Sequence, residues 1–354
     1  MINVTKTFLP PQEEYQKIMA RVWDTGWITN RGVLVQELEQ TLQDYLKVPN
    51  IIAMANGTLP IQIALKAFGC SGEIITTPFS YVATTSSIVW EGCTPVFVDI
   101  HPEYLTIDET KIEAAITKRT TAILATHVYG NPCAVEEIEK IATRYNIKVI
   151  YDAAHCFGVT YKDRSIFEFG DASTCSFHAT KIFHSGEGGA LFTKPENFEN
   201  FYFHHNFGHD GPEIFRGLGI NAKMSELHAA MGLAVIRYID TIIENRRRAV
   251  MFYRDHIMVK PLQIRSHTDW NYSYYPIIFD SERQLLACVK KLNEQDIFPR
   301  RYFYPSLDTL PYTKEANVPI SHDISAKVLC LPLSHDISEE ELEKISNLIN
   351  AAVH

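Results

Sequence analysis

The sequence predicts an α/β protein: a large domain built on a mostly parallel sheet with helices on both faces, then a smaller C-terminal α+β domain. Three observations predict it. Short, continuously apolar runs alternate with helix-like segments through the first two-thirds of the 354 residues, the pattern of strands buried on both faces. That alternation stops after Gly188-Gly189-Ala190-Leu191-Phe192. The hydrophobic fraction of 46% and charged fraction of 21% suit a chain that buries a substantial core.

Taken in order, Ile51-Ile52-Ala53-Met54 reads as a buried strand, and Asn56-Gly57-Thr58 as the turn into a helix from Leu59 to Phe68. Glu73-Ile74-Ile75-Thr76 is the next strand, followed by a helix from about Tyr81 to Trp90. Thr94 to Asp99 and Ala122 to His127 are strands, and Val135 to Tyr145 is a helix leading to the strand Lys148 to Tyr151. An apolar strand spans Ala172 to Phe177, and one long helix is expected from Ser225 through Arg248. These place the large domain over 1–249 and the small one over 250–354, with the first residues packing with or near the small domain. Ser338 and Glu341 form a capping box that opens the last helix. No internal repeat, low-complexity tract or linker is visible.

Composition excludes several functions. A net charge of −9 without any Lys/Arg block argues against nucleic-acid binding, so an anionic ligand must be held by local donors. The seven cysteines form no C-x-x-C pair and lie beside no histidine at zinc spacing. They read as reduced thiols of a cytoplasmic protein without a metal site. Met1 to Lys6 has no apolar signal core and no run approaches spanning length, so no membrane partner is expected.

Ligands of open α/β sheets collect at the carboxyl ends of strands. Asp152 closes the run Val149-Ile150-Tyr151, and a carboxylate at a buried strand end needs a partner to offset its desolvation. A pyridinium nitrogen is one candidate; a salt bridge or helix cap is the other. Lys181 follows the strand ending at Phe177 and precedes the glycine-rich turn His184 to Gly189. A lysine amine that condenses with an aldehyde, paired with a carboxylate that keeps a ring nitrogen protonated, is what pyridoxal 5'-phosphate (PLP) chemistry requires. Ser176 is a candidate phosphate ligand, as are Gly57 and Thr58, whose backbone amides and hydroxyl stand at a helix N-terminus. Alone, Thr58 reads equally as an ordinary cap. Tyr81 stacks on a planar ring or packs in the core, and His155 contacts the ring or its phenolic oxygen or is satisfied by nearby backbone. Their joint order favours PLP. A nicotinamide dehydrogenase would need G-x-G-x-x-G after an early strand, which the chain lacks.

With these residues in view, the chain resembles the DegT/DnrJ/EryC1/StrS family of PLP-dependent nucleotide-sugar aminotransferases over essentially its whole length. The resemblance is carried by Gly26-Trp27-Ile28-Thr29-Asn30-Arg31-Gly32, by Asn56-Gly57-Thr58, and by Thr76 to Thr84. Gly92 to Ile100, His127 to Gly130, Tyr151-Asp152-Ala153-Ala154-His155 and Ser176-Phe177-His178-Ala179-Thr180-Lys181 extend it. It implies the aspartate-aminotransferase-like architecture of PLP fold type I. It also implies stacking by Tyr81, a ring-nitrogen partner in Asp152, a phosphate serine in Ser176 and a Schiff-base lysine in Lys181. His155 stands where the family usually has glutamine.

Gly219 to Leu227 resembles the segment that reaches the phosphate of the other subunit's cofactor, which implies a homodimer with shared active sites. Asn221 or Lys223 would make that contact, although many members carry arginine at the position of Lys223. Arg301-Tyr302-Phe303-Tyr304-Pro305 resembles the loop bordering the sugar, implying substrate contacts from Arg301, Tyr302 and, from the early loop, Thr29. Some relatives replace the lysine with histidine and act as dehydratases; Lys181 favours transamination. Thr76 to Thr85, His127 to Cys133 and Ser176 to Phe183 look most like enzymes that make dTDP-4-amino-4,6-dideoxyglucose. The implied substrates are L-glutamate and a dTDP-keto-sugar, and the implied setting is lipopolysaccharide O-antigen or other surface-glycan synthesis. Amination at C3, a UDP-linked sugar, and a catalytically silent PLP-binding regulator stay open as alternatives.

Overall fold

The computed structural model describes residues 1–353. Its centre is a seven-stranded sheet in the spatial order Ile51–Met54, Gly189–Thr193, Ala172–Ser176, Lys148–Asp152, Thr120–Thr126, Glu73–Thr76, Thr94–Phe97. Gly189–Thr193 runs antiparallel to both its neighbours, and every other adjacent pair is parallel. The sheet is therefore the mostly parallel one expected, with all of Ile51–Met54 and Gly189–Thr193 buried and the edge strand Thr94–Phe97 partly exposed. Helices lie between the strands as the alternation requires, including Thr58–Ala67, Val82–Trp90 and Val135–Tyr145.

The long helix expected from Ser225 through Arg248 is instead two. Glu226–Val235 gives way to a single 3-10 turn, Ile236–Tyr238, before Ile239–His256. The first piece is buried nearly all round, whereas the second is amphipathic with Ile239, Ile242, Ala249, Val250 and Tyr253 inside. Ile239 packs in the core beside the sheet, but Ala249, Val250 and Tyr253 pack in a second core with Tyr275, Leu285, Leu292 and Ile345. The change of direction seats both ends of the chain segment in different apolar clusters.

After it come an antiparallel sheet of Lys260–Pro261, Tyr275–Ile278 and Val328–Leu331, and the helices Glu282–Asn293, Pro319–Lys327 and Glu339–Val353. The last opens on the expected capping box: Ser338 N–H donates to Glu341 (2.9 Å) and Glu341 N–H to Ser338 Oγ (3.2 Å). The N-terminal strand Ile2–Asn3 pairs in parallel with Ile297–Phe298, and Lys6 pairs with Asp336.

Two contacts tie the carboxyl edge of the large sheet to the later residues. Asp99 accepts from Ile320 N–H (2.9 Å) and Ser321 N–H (2.8 Å), two orphan donors at the start of Pro319–Lys327. Leu307 N–H donates to Pro78 O (2.8 Å). All seven cysteines are free thiols, and among the described residues no helix is long and apolar enough to cross a membrane.

Candidate active site

Four strands of the large sheet end at one place. Residues following Met54, Thr76, Asp152 and Ser176 line a cavity of about 250 Å³ that holds Asn56, Gly57, Thr58, Tyr81, Asp152, His155, Ser176 and Lys181. Tyr274, Arg300 and Tyr302 close it from the later part of the chain. Sheet geometry explains the first set, because parallel strands present their carboxyl ends on one side.

Asn56 caps the helix Thr58–Ala67, its Oδ1 accepting from Thr58 N–H (2.9 Å) and Leu59 N–H (3.0 Å). The reading of Thr58 as an ordinary cap therefore gives way, and its hydroxyl is left for the cavity. Gly57 is required by close approach: a Cβ there would lie 2.7 Å from Ser176 Cβ and 2.9 Å from Ser176 Cα. This contact sets the helix N-terminus beside the Ser176 hydroxyl, a cradle for a phosphate dianion.

Asp152 is 4% exposed. Its Oδ2 accepts from Thr84 Oγ1 (2.6 Å) and its Oδ1 from Ala154 N–H (3.1 Å), and Ser80 links Thr84 to Thr126. Burial raises its pKa, and the Thr84 and Ala154 hydrogen bonds and the Lys181 charge only partly counter this. Neither the ion pair nor the helix cap that the sequence left open is made among the described residues. A buried carboxylate with hydrogen bonds but no ion-pair partner in contact fits a ring N–H⁺, so the residues present suit PLP.

Lys181 stands on the turn after Ala172–Ser176, its N–H bonded to His178 O (2.8 Å). Tyr81 is not core. It is 48% exposed at the start of Val82–Trp90, and its ring faces that of Tyr302 at 6.2 Å. His155 is buried with both nitrogens engaged: Nδ1 accepts from Tyr129 N–H (3.2 Å) and Nε2 lies 3.3 Å from the Tyr302 hydroxyl. Burial, and then the charges of Lys181 and Arg300, hold its pKa well below the ordinary imidazole value.

Four expected residues do not line this cavity. Arg301 turns away to Glu282 (2.6 Å) and Ala326 O (3.3 Å) and lies over the Tyr304 ring. Arg300 takes its place. The segment is extended, since Arg300 and Cys330 exchange backbone hydrogen bonds of 3.0 and 2.8 Å, and successive side chains of an extended strand point to opposite sides. Thr29 sits on the loop before Gly32, where Ile28 O accepts from Glu226 N–H and the Glu226 carboxylate accepts from Leu34 and Val35 N–H. Asn221 pairs with Asn206, and Lys223 bridges to Met54 with its ammonium 4.7 Å from the Phe207 ring centroid. Sequence reasoning missed Asn56, Thr84, Tyr274 and Arg300. A helix-capping signal marks Asn56, whereas nothing local marks Thr84, which meets Asp152 across 68 positions.

Comparisons with known proteins agree with this geometry. Residues 11–350 match the DegT/DnrJ/EryC1/StrS aminotransferase family. A dTDP-4-amino-4,6-dideoxy-D-glucose transaminase of Shigella dysenteriae is 41% identical, covering 98% of each chain. One from Escherichia coli with the same name is 38% identical, again over 98% of each. The crystal structure of DesI with its TDP-sugar product superposes with a TM-score of 0.94 at 31% identity, covering 99% of this chain and 93% of that one.

Proposed function

The chain belongs to the DegT/DnrJ/EryC1/StrS aminotransferase family, and we propose that this aminotransferase moves the amino group of L-glutamate to C4 of dTDP-4-keto-6-deoxy-D-glucose. The products are dTDP-4-amino-4,6-dideoxyglucose and 2-oxoglutarate. The relatives' names support the sugar. The observation that carries the chemistry is the presence of Lys181 and the unpaired buried Asp152 in one cavity.

The cofactor is PLP, which when bound supplies a carbon that carries nitrogen and a ring that accepts electrons. Asp152 holds the ring nitrogen's proton. Gly57, Thr58 and Ser176 would hold the phosphate, and Tyr81 would stack on the ring. Lys181 Nζ takes the proton from the donor's Cα and returns one to the sugar carbon in the second half-reaction. Thr29, Asn221 and Lys223 do not line the cavity of their own chain, which suits contacts made across a homodimer interface. A cytoplasmic site of action and a product destined for a surface glycan complete the reading.

The test is a pair of half-reactions followed by visible absorbance. The PLP-loaded protein is converted with L-glutamate, desalted, and mixed with dTDP-4-keto-6-deoxyglucose. Loss and return of the cofactor's visible band, with product NMR placing nitrogen on C4, is the expected result. A band that glutamate bleaches and this sugar fails to restore overturns the acceptor; no bleaching overturns the donor.

A further inference from the structure

His155 lines the cavity with both ring nitrogens engaged by the protein. The donor on its Nδ1 side is a backbone N–H, that of Tyr129 at 3.2 Å, which has no acceptor capacity. Nδ1 must therefore offer its lone pair, and a neutral imidazole then carries its proton on Nε2. That nitrogen faces the Tyr302 hydroxyl at 3.3 Å. The Tyr129 hydroxyl, for its part, donates to the Tyr302 carbonyl. Tyr302 is thus gripped at main chain and side chain by two residues that are themselves hydrogen-bonded to each other. Packing fixes the group further, with the His155 ring parallel to Phe303 (5.7 Å, 5°) and 4.8 Å from Tyr274.

The hydrogen-bond sense has a consequence. A phenolic oxygen that accepts from His155 keeps its own O–H to give away. Tyr302 is 4% exposed overall yet lines the cavity with Lys181, so that proton is available to an acceptor bound there. The neighbouring cation Arg300, 4.5 Å from the Tyr302 ring centroid, suits the carboxylate of an amino donor. The neutral hydroxyl is left for an uncharged oxygen, a ketone or hydroxyl of the sugar.

We propose that His155 is a positioning residue: as a neutral imidazole protonated on Nε2, it orients the Tyr302 hydroxyl to donate to an oxygen of the keto-sugar. The sugar half of this rests on the function proposed above; the tautomer does not. The charged and titratable groups around His155 are Lys181, Arg300, Asp152, Tyr129, Tyr274 and Tyr302. Burial disfavours an imidazolium, and the two cations add to it.

Two measurements test it. In ¹⁵N NMR of the wild-type protein, with His155 assigned by its loss in H155Q, the ring should remain the Nε2–H neutral tautomer from about pH 5.5 to 9, across the usual imidazole range. A doubly protonated ring or an Nδ1–H tautomer overturns the proposal, whether or not the protein turns over any sugar. In the separated half-reactions, H155L and Y302F should each slow the sugar step about tenfold, the worth of one lost hydrogen bond. The glutamate step should change less than about twofold. The H155L/Y302F double variant should be no slower than either single one, since both remove the same interaction. H155Q, which keeps an N–H donor, should recover most of the lost rate. Effects that multiply in the double variant, or equal slowing of both half-reactions, overturn the positioning role.

Discussion

The cavity has two walls made in different ways. One consists of strand ends of a single parallel sheet, Asn56 to Thr58, Asp152 and Ser176, with Lys181 just beyond. Its spacing is set by backbone ladders such as Thr126↔Asp152 and Asp152↔Thr174. The other consists of Tyr274, Arg300 and Tyr302, held by contacts between distant parts of the chain, as in the 147-residue separation of His155 and Tyr302. The first wall carries the groups proposed for the chemistry. The second is placed by packing between distant segments, through Asp99 on Ile320 and Ser321 and through Pro78 on Leu307. The groups proposed for chemistry sit where backbone ladders fix them, and those proposed for recognition where distant segments pack together.

Lys181→Ala should break this comparison most sharply. With the sheet intact, turnover should fall by at least roughly 10³-fold, the scale on which a positioned acid–base and nucleophilic group acts. Noncovalent cofactor binding should persist through Gly57, Thr58, Ser176 and Asp152. Steady-state transamination together with a cofactor-binding titration checks both; turnover within tenfold of wild type would remove Lys181 from the mechanism.

Gly57→Ala probes the same wall at its tightest contact. The new Cβ would meet Ser176 backbone at 2.9 Å, so the helix N-terminus must withdraw from the serine. Overpacking of this kind costs about 1–3 kcal/mol, and it should appear as a PLP affinity weakened at least about tenfold. An unchanged affinity would show that the phosphate is held elsewhere.

How much of each wall was legible in the sequence follows from the same difference. Asp152, Ser176 and Lys181 were readable because each lies at or just after the end of an apolar run, and strand ends of such sheets face one side. Gly57 was readable as a turn. The resemblance that points to Arg301 does not phase the segment; its pairing partner, Cys330, does, and it is Arg300 that lines the cavity. The Thr84 hydroxyl on Asp152 and the Tyr302 hydroxyl on His155 join segments with no local signature of each other. The break at Ile236–Tyr238 contains no proline or glycine; the need to reach two separate cores makes it, and that need is a property of the tertiary structure alone.

Asp152→Asn sharpens the contrast by changing sign with the cofactor. Burial raises the carboxyl's pKa in the folded chain, with Thr84, Ala154 and Lys181 opposing it only in part. A folded pKa above the unfolded one means that the fold binds the proton more tightly. The stability this confers is full below the ordinary carboxylate range and is lost as pH rises through the raised folded value. Above that folded value the protein stripped of PLP carries a charged, buried carboxylate with no ion-pair partner in contact. Asparagine removes that burden while keeping an acceptor for Thr84 or Ala154. The stripped Asp152→Asn protein should thus be more stable than stripped wild type at pH 8, by on the order of 1 kcal/mol, and the gap should close at pH 4. Loading with PLP should reverse the order, because only the wild type gains a carboxylate–pyridinium pair, and the variant should lose turnover as well. Urea melts of both proteins, stripped and loaded, at the two pH values read this directly. A variant less stable than wild type in the stripped state would mean that Asp152 serves the fold first, and that the strand-end wall is not held in strain for its ligand.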